Sequence, residues 1–376
     1  MRFRDFKLER YFGRWEFSAK ILLGSSDPES MRLPELLALA DDDGRRRWEN
    51  LWLGYTESEG LPQLREAIAA QFSSCGPDSV LVFSAPEEAV FHVAAAILEP
   101  GDHMVGITPA YQSSYEIPRT IGADVTLVPL REDRGWTLDL DELAAALTGR
   151  TKLIYVNFPH NPTGAIMNAA DQRRLIDLAD SCGAYLFSDE VYRGLEFDPA
   201  DRLPPAADLY PRAISLGGLS KAYALPGVRL GWIACRDADL YRRLVAAKDF
   251  TTICAAAPSE ILALIAVRAA DHLIARSLDR ISRNLALVDR FLARRSDVVR
   301  WVRPRGTSVG FPELLLDRSV DEFCSRLVRD TGVLLVPGSK FEVETNHFRI
   351  GLGRASLGAG LGTLGRFLDG AGAGTR

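Results

Sequence analysis

The chain has 376 residues, of which 47% are hydrophobic and 25% are charged, a composition typical of globular proteins. This composition excludes collagen, a continuous coiled coil and wholesale disorder, and the length predicts two or three domains. Against 45 Lys and Arg residues stand 50 Asp and Glu residues, and the formal net charge of −5 provides no overall positive field for nucleic acid or an anionic membrane.

The N-terminal segment, from Met1 to Phe17, is charged and aromatic and contains no apolar stretch of the kind found in signal peptides. Nowhere in the chain do about 18 uncharged apolar residues follow one another, so no membrane span is predicted. The five cysteines are scattered without a C-x-x-C pair, which argues against both a disulfide framework and a zinc site. We therefore expect a cytoplasmic protein without a metal site.

Between about residues 80 and 236, short apolar runs alternate with segments of helical periodicity, which predicts β-α units around a mostly parallel sheet. Helical spacing of apolar residues predicts crossover helices over Glu87–Leu98 and Asp139–Leu147. The fold class predicted is α/β, with one seven-stranded sheet between helices. The predicted strands are Val80–Phe83, Met104–Thr108, Val125–Leu130, Leu153–Phe158, Tyr185–Ser188, Ala213–Leu216 and Leu230–Cys235.

After about residue 258 the chain changes to long helices rich in Leu, Ala and Arg, followed by strand-like segments at Gly332–Val336 and His347–Ile350. This pattern predicts a smaller α+β domain. We expect residues 1–45 to form an N-terminal arm and part of the small domain, residues 46–275 the large domain, and residues 276–376 the C-terminal small domain. The Gly-rich end predicts a short final helix followed by frayed chain.

Polar side chains follow the fourth, fifth and sixth predicted strands. Asn161 lies in the turn after the fourth, Asp189 and Tyr192 follow the fifth, and Lys221 follows the sixth. Open α/β sheets bind ligands at the carboxyl ends of their strands, so these groups are expected to share a site. A lysine in an apolar neighbourhood is a usable amine nucleophile for a carbonyl group. Taken alone, Lys221 is better explained as a surface lysine, and it is the neighbouring strand ends that favour a shared site.

A series of motifs in a fixed order covers nearly the whole chain, and it resembles the class I/II aminotransferases, pyridoxal 5′-phosphate (PLP) enzymes of the aspartate-aminotransferase fold. The resemblance implies fold type I, with a large PLP-binding domain and a smaller α+β domain, and a homodimer. The matching segments are Leu23-Gly24, Asp27-Pro28, Gly54–Arg65, Pro100–Asp102, Pro109–Tyr111, Asn161–Gly164, Asp189–Tyr192, Ser220-Lys221, Pro226–Arg229 and Phe348–Ile350.

The resemblance also implies roles for residues around the cofactor ring. Lys221 would form the Schiff base with the cofactor, and Asp189 would pair with the pyridinium nitrogen. Asn161 and Tyr192 would hydrogen-bond the phenolate oxygen. Tyr111 would stack on the ring face, although a core aromatic is the alternative for that residue.

At the phosphate, the resemblance implies contacts from Arg229 and Ser220 and from the helix start at Ala85 and Pro86. Tyr55 would reach the same phosphate from the partner subunit of the homodimer. Two features depart from the family pattern. The first is Pro86, which has no N–H to donate to a phosphate and is followed by the negative charge of Glu87. The second is Gly218, at a position where relatives carry a hydroxyl group.

For the substrate, Arg349 occupies the position at which the family clamps the α-carboxylate, with Asn161 and Ser25 beside it. A structural salt bridge is the alternative role for Arg349. Glu9, in the segment that covers the active-site mouth, would select a cationic side chain such as a guanidinium group, or it is an ordinary surface charge. Lys221, once released by substrate, would act as the general base.

The expected activity is transfer of the amino group of an α-amino acid to a 2-oxo acid, through an external aldimine and a quinonoid, within amino-acid metabolism and biosynthesis. A β/γ-elimination, replacement or cyclisation enzyme is the alternative, because both begin with removal of the same proton at Cα. A non-catalytic PLP-binding sensor is a less favoured third possibility.

Overall fold

The computed structural model describes residues 2–372, within which there are fourteen helices and fifteen strands. The helices are α1 (Lys7–Trp15), α2 (Leu33–Leu37), α3 (Asp42–Glu49), α4 (Pro62–Ala69), α5 (Pro86–Ile97), α6 (Ser113–Ile121), α7 (Leu140–Ala146), α8 (Ala169–Ser181), α9 (Ala206–Leu209), α10 (Ala238–Lys248), α11 (Ala257–Arg268), α12 (Ala270–Ala293), α13 (Val320–Thr331) and α14 (Leu357–Gly372). The strands are β1 (Ile21–Leu22), β2 (Val80–Phe83), β3 (His103–Thr108), β4 (Asp124–Arg131), β5 (Thr137–Leu138), β6 (Thr151–Asn157), β7 (Tyr185–Asp189), β8 (Ala213–Gly218), β9 (Gly231–Cys235), β10 (Val299–Arg300), β11 (Val309–Gly310), β12 (Glu313–Leu314), β13 (Val333–Leu334), β14 (Val336–Pro337) and β15 (Phe348–Gly351).

An eight-stranded sheet forms the centre of the molecule, in the order β2-β9-β8-β7-β6-β3-β4-β5. Its strands are parallel except for β9, which runs antiparallel to β2 and β8, and β5, which runs antiparallel to β4. The mostly parallel α/β sheet is therefore confirmed, and all seven predicted strands are present. The eighth, β5, has two residues and is too short to produce an alternating pattern in the sequence.

Both faces of this sheet are buried because successive side chains of a strand point to opposite sides. On one face, Ile154, Val156 and Leu186 belong to an apolar cluster that includes residues of α7 and α8. On the other face, Leu153 and Leu216 pack in a cluster with residues of α5 and α10. The two predicted crossover helices are present as α5 and α7, each within about one residue of its predicted start.

A two-stranded sheet joins the N-terminal segment to the C-terminal part of the chain, which also forms sheets of its own. Strand β1 pairs with β13 in parallel, and a three-stranded sheet has the order β11-β15-β14. The pairing of β1 agrees with an N-terminal segment that completes the small domain, but the division at residues 45 and 275 stays a prediction. The second boundary falls inside α12.

The final helix is longer than the predicted short one, since α14 has 16 residues. The glycines of α14 lower its helix propensity, but burial of an apolar face at helical spacing stabilises the helix. That face consists of Leu357, Leu361, Leu364 and Leu368, all of which are buried. The fraying predicted for the chain end lies outside the described residues. Among the helices of residues 2–372, none is long and apolar enough to cross a membrane.

Candidate active site

A cavity of about 430 Å³ opens at the carboxyl ends of β6, β7 and β8. The structure brings eleven of the thirteen predicted site residues to its wall. Ala85 directly precedes the wall residue Pro86, and Tyr55 lies elsewhere. The eleven are Glu9, Ser25, Pro86, Tyr111, Asn161, Asp189, Tyr192, Ser220, Lys221, Arg229 and Arg349.

Asp189 is the last residue of β7 and is held by two hydrogen bonds. The Tyr155 hydroxyl donates to its Oδ2 at 3.0 Å, and the Val191 backbone N–H donates to its Oδ1 at 3.2 Å. Burial raises the pKa of this carboxyl to about 6, despite these hydrogen bonds and the nearby Lys221. A cation placed against the carboxyl would restore its charge, and a protonated pyridine nitrogen is such a cation.

Asn157 and Asn161 connect the ends of β6 and β7. Asn157 lies opposite Asp189 in the parallel pair, and its Nδ2 donates to the Asp189 carbonyl at 2.9 Å. Its Oδ1 accepts from the Asn161 backbone N–H at 3.0 Å. The register of the two strands therefore fixes the turn that carries the Asn161 amide into the cavity.

Arg349, on β15, is 1% exposed and forms no ion pair with an acid within residues 2–372. Its Nε donates to the Gly24 carbonyl at 3.0 Å and its Nη1 donates to Asn161 Oδ1 at 3.2 Å, but its buried Nη2 has no partner. Burial lowers the pKa of Arg349. A buried guanidinium with an unused donor on a cavity wall fits a carboxylate ligand, because such an anion supplies both charge and acceptors.

Lys221 and Tyr192 face each other across the cavity floor. Lys221 Nζ donates to Ser26 Oγ at 2.8 Å and lies 5.9 Å from the centroid of the Tyr192 ring. Tyr192 is 2% exposed, and its hydroxyl is buried without a hydrogen-bond partner. Buried polar atoms are normally paired. The unpaired hydroxyl beside the lysine therefore fits a polar ligand group at this point.

Helix α1 closes one side of the cavity and carries Glu9. The Tyr111 hydroxyl donates to Glu9 Oε1 at 2.8 Å, and the Phe6 and Tyr111 rings lie 5.0 Å apart between centroids. The Lys7 backbone N–H donates to Gln112 Oε1 at 2.8 Å, which fastens α1 to the start of α6. Glu9 is thus held on the cavity wall against Tyr111, the residue predicted to stack on the cofactor.

The two departures at the predicted phosphate end form one packing unit. Pro86 is the first residue of α5, and its ring lies against Gly218 and Gly231. A Cβ added to Gly218 would lie 2.5 Å from Pro86 Cγ, and one added to Gly231 would lie 2.6 Å from Pro86 N. The glycine that replaces the family's hydroxyl is therefore required by the proline that replaces an N–H donor.

Arg229 and Ser220 lie at the same end of the cavity. Arg229 has a left-handed backbone conformation with φ of 54°, and its Nη1 donates to the Pro226 carbonyl at 3.0 Å. Within residues 2–372 this is the one hydrogen bond of its side chain, so its other donors can bind an anion. Arg229, Ser220 and the first turn of α5 thus form an end of the cavity with donors for a phosphate group.

Sequence reasoning missed several wall residues. The period-two alternation along β6 puts Tyr155 on the same face as Asn157, so this pair was recoverable from the strand pattern. Glu16, Ser26 and Asp27 reach the cavity only because the N-terminal segment packs on the C-terminal strands, which no local pattern shows.

His160 lies outside the cavity wall. Its Nε2 donates to the Pro109 carbonyl at 3.0 Å, and its Nδ1 accepts from the Thr163 hydroxyl at 2.8 Å. Burial lowers the pKa of His160 to about 3, so the ring is neutral. Its two hydrogen bonds connect the turn that contains Asn161 to the loop before Tyr111, and the residue does not line the cavity.

Tyr55 is 84% exposed and lines a separate groove. Trp52 and Leu53, beside it, are each 78% exposed. Within one chain, Tyr55 is not part of the cavity. Its predicted role at the phosphate stays a prediction that requires a partner subunit.

One group of possible metal ligands occurs within residues 2–372, formed by Glu132, Glu313 and His347 away from the cavity. The Arg300 guanidinium lies 2.6 Å from Glu313 and 3.9 Å from Glu132. This guanidinium already supplies a positive charge to the two carboxylates. The group therefore gives no reason to assign a metal.

The cavity fits PLP in its polar groups. The buried Tyr192 hydroxyl has no hydrogen-bond partner among the described residues, and the phenolate oxygen would supply one. The Asp189 carboxyl, whose pKa is raised by burial despite its hydrogen bonds to Tyr155 and Val191, would pair with the protonated ring nitrogen. Lys221 lies near both, and Arg229 lies at the end where the phosphate would bind. These residues would hold the cofactor at the carboxyl edge of the sheet.

Comparison with known proteins agrees with this site. The family model "Aminotransferase class I and II" matches residues 18–357. Capreomycidine synthase of Streptomyces vinaceus is 35% identical over 363 residues, covering 96% of this chain and 91% of that protein. The crystal structure of a PLP-dependent aminotransferase from Streptococcus suis superposes with a TM-score of 0.92 at 32% identity, covering 98% of both chains.

The crystal structure of the PLP-dependent cyclase OrfR superposes with a TM-score of 0.90 at 29% identity, covering 99% of this chain and 98% of that one. The similar proteins thus include both an aminotransferase and a cyclase on one scaffold. Since the family match extends over most of the chain and includes the cavity's strands, the chain belongs to the class I and II aminotransferases and is a PLP-dependent enzyme of fold type I.

Proposed function

We propose that the protein transfers the amino group of an α-amino acid to a 2-oxo acid. The observation that carries this proposal is the buried Arg349 guanidinium, whose Nη2 has no partner and which shares the cavity with Lys221. A carboxylate bound to Arg349 places the α-carbon of an amino acid toward the lysine. Amino acids and 2-oxo acids share that carboxylate, so one clamp serves both substrates.

When bound, PLP supplies an electron sink for the bond that breaks at Cα. Asp189 would hold the proton on the ring nitrogen, and Asn161 and Tyr192 would hold the phenolate oxygen. Lys221 Nζ removes and returns the proton at Cα. Ser26 Oγ, which accepts a hydrogen bond from Nζ at 2.8 Å, positions the amine for that transfer.

We also propose a homodimer in which Tyr55 reaches the partner's phosphate site. The exposed side chains of Trp52, Leu53 and Tyr55 form an apolar patch of the kind that marks protein interfaces. A cytoplasmic location is part of the proposal. It is supported by the five cysteines, all of which lie within the described residues and are unpaired.

A second candidate is cyclisation, elimination or replacement on an amino acid with a cationic side chain. Five carboxylates but only three cationic groups line the cavity, and PLP and a substrate carboxylate account for Lys221, Arg229 and Arg349. Asp189 would pair with the cofactor ring, and Asp27 is already paired with Arg354 at 2.6 Å. Apart from Glu87, which lies beside the expected phosphate, Glu9 and Glu16 are then the carboxylates available to a cationic side chain. Two of the similar proteins are named as a synthase and a cyclase.

A single turnover separates the two candidates. Holoenzyme is mixed with each of a panel of amino acids, including arginine, lysine and neutral residues, with no oxo acid present, and pyridoxamine phosphate, ammonia and product mass are measured. Transamination converts the cofactor stoichiometrically to pyridoxamine phosphate and releases no ammonia. Repeated turnover with the aldehyde form retained establishes the second candidate instead.

The variants Glu9→Gln and Glu16→Gln test the cationic side chain separately from the reaction type. Loss of activity toward arginine but not toward a neutral amino acid would support a cationic substrate. The matched control is Glu66→Gln, which removes an exposed carboxylate on α4, away from the cavity. No spectral response to any amino acid would contradict both catalytic candidates and favour the sensor.

A further inference from the structure

Glu87 is a wall residue for which the family pattern supplies no role. It is the second residue of α5, directly after Pro86, and it is exposed to the cavity. Helix starts bind phosphate through free N–H groups, and Glu87 lies in the first turn, where backbone donors have no partner within the helix. Its side chain is therefore close to the place where the phosphate of PLP is expected.

This helix start is poor in donors compared with an ordinary phosphate site. Pro86 has no N–H, and Ala85, the residue before the helix, forms no side-chain cap. The Ser84 N–H donates to Glu88 Oε2 at 2.8 Å and is already used. Because Gly218 must stay small to admit Pro86, no hydroxyl can be supplied from β8. A phosphate bound here would therefore have an oxygen that can accept a hydrogen bond from a further donor.

Charged and titratable groups face Glu87 from every element around it. Asp189 on β7 and Glu9 on α1 are negative and disfavour its ionised form, while Arg229 favours that form and Ser113 on α6 offers a hydrogen bond. Tyr111 and Tyr155 also lie nearby, and each is affected by its charge. Lys221 shares the cavity.

Removal of the carboxyl from bulk water inside the cavity is the main cause that raises the pKa of Glu87 to about 7, and the Asp189 and Glu9 carboxylates act in the same direction. A phosphate anion placed beside the carboxyl would raise that pKa further, since like charges favour the protonated form. A protonated carboxyl group carries an O–H that can donate, whereas a carboxylate only accepts. With phosphate bound, the neutral form is thus the favoured one near neutral pH.

We propose that the Glu87 carboxyl group, in its neutral form, donates a hydrogen bond to the phosphate of PLP and replaces the donors lost at Pro86 and Gly218. Glu87 is then a cofactor-binding residue specific to this chain's version of the site. The inference rests on PLP as cofactor and is independent of which reaction follows.

The test measures the Kd of cofactor for the full-length apoprotein between pH 6.5 and pH 9, without any amino acid. Wild type, Glu87→Gln and Glu87→Ala are titrated with PLP and, separately, with pyridoxal, which lacks the phosphate. Glu87→Gln keeps a donor that does not titrate. Glu99→Gln, which removes an exposed carboxylate just beyond the other end of α5, is the matched control.

The ratio of the wild-type Kd for PLP to the Glu87→Gln Kd for PLP should increase about tenfold or more between pH 6.5 and pH 9. The cause is that the wild-type carboxyl ionises and can no longer donate, whereas the Gln amide donates throughout. Glu87→Ala should bind PLP about 10- to 100-fold more weakly than wild type at pH 6.5, the range for a hydrogen bond to a charged group. Pyridoxal affinity should be the same in all variants, which also shows that each one is folded.

Two results would overturn the proposal. Parallel pH profiles of wild type and Glu87→Gln for PLP would mean that the carboxyl does not act as the donor. An equal loss of PLP and pyridoxal affinity in Glu87→Ala would mean that Glu87 shapes the site without contacting the phosphate. Failure of transamination would affect neither measurement.

Discussion

The two ends of the cavity differ in how closely they keep to the family pattern. At the strand ends, Lys221, Asp189, Asn161 and Arg349 have the expected identities. Hydrogen bonds of the Asn157 and Arg349 side chains connect the end of β7 and the Asn161 turn. At the start of α5, Pro86 and Gly218 both depart from the pattern, and the Pro86 ring requires a residue without a Cβ at position 218. The identity of each residue at the reacting end is thus fixed separately. At the phosphate end, residues that pack against each other can be replaced together.

The reason is chemical. A proton at Cα, a ring nitrogen and a carboxylate each need a particular group at a particular position, and a shift of about 1 Å in that group is costly. A phosphate accepts hydrogen bonds at several oxygens from any donor that reaches it. Substitution is therefore expected to have larger effects at the strand ends than at the helix start.

Replacement of the lysine gives the largest expected effect. Lys221→Ala should abolish turnover and remove the absorbance of the cofactor bound to the lysine, because Lys221 is the one lysine among the described residues that line the cavity. The measurement is an absorbance spectrum and an amino-acid assay of purified protein. Lys152→Ala, an exposed lysine on β6, is the control. Wild-type turnover by Lys221→Ala would contradict the proposed role.

Much of the strand-end site could be predicted from the sequence because it is local. Asn161, Asp189 and Lys221 each follow a recognisable strand, and parallel neighbours bring strand ends together. Tyr155 was recoverable in the same way. Ser26 and Glu16 were not, because their positions depend on β1 pairing with β13, a contact between segments far apart in the chain.

The helix start shows the other limit of sequence reasoning. Pro86 and Gly218 are each visible in the sequence as departures. The sequence does not show the steric conflict between them, in which a Cβ added to Gly218 would lie 2.5 Å from the Pro86 ring. It follows from three-dimensional packing of α5 against β8 and β9. The position of Tyr55 is a further limit, because its environment depends on a second subunit.

Arg349 is expected to show the next largest effect. Arg349→Gln removes a charged, forked donor, and kcat/KM for an amino acid should fall about 100-fold or more while the cofactor remains bound. Arg349→Lys keeps the charge without the fork and should recover only part of the loss. Steady-state kinetics with cofactor absorbance as the control measure this. An unchanged kcat/KM in both variants would assign Arg349 to structure alone.

The buried carboxyl of Asp189 makes the free energy of unfolding of the apoprotein depend on pH. In the folded apoprotein its carboxyl has a pKa of about 6, above the usual range of an aspartate, so the folded state binds an extra proton between about pH 4 and pH 6. Stability from this group is therefore lost as the pH rises through that window. Asp189→Asn should make the apoprotein more stable than wild type at pH 8, by at most about 3 kcal/mol, and equal to it near pH 4.

Denaturant unfolding of apoprotein at both pH values measures the Asp189 effect. Asp133→Asn, which removes an exposed carboxylate in a turn, should behave as wild type. Addition of PLP should reverse the order, since the ring nitrogen pairs with the Asp189 carboxylate and the asparagine cannot ionise. An Asp189→Asn apoprotein that is less stable than wild type at pH 8 would contradict the stated cause.

The smallest expected effect tests whether the helix start is one packed unit. Gly218→Ser should destabilise the apoprotein by about 1–3 kcal/mol, because its Cβ would lie 2.5 Å from Pro86 Cγ. Pro86→Ala removes that ring, so the double variant should be more stable than the sum of the single changes predicts. Gly149→Ser is the control, since nothing lies within 4 Å of a Cβ at that exposed glycine.

The same double variant restores an N–H at the start of α5 and a hydroxyl on β8. It should therefore bind PLP at least as tightly as wild type, and it should make PLP affinity less dependent on Glu87. Urea unfolding of the four proteins of the cycle gives the coupling energy, and PLP titration gives the affinities. Additive destabilisation would show that Pro86 and Gly218 are independent, and the contrast between the two ends of the cavity would then lose its structural basis.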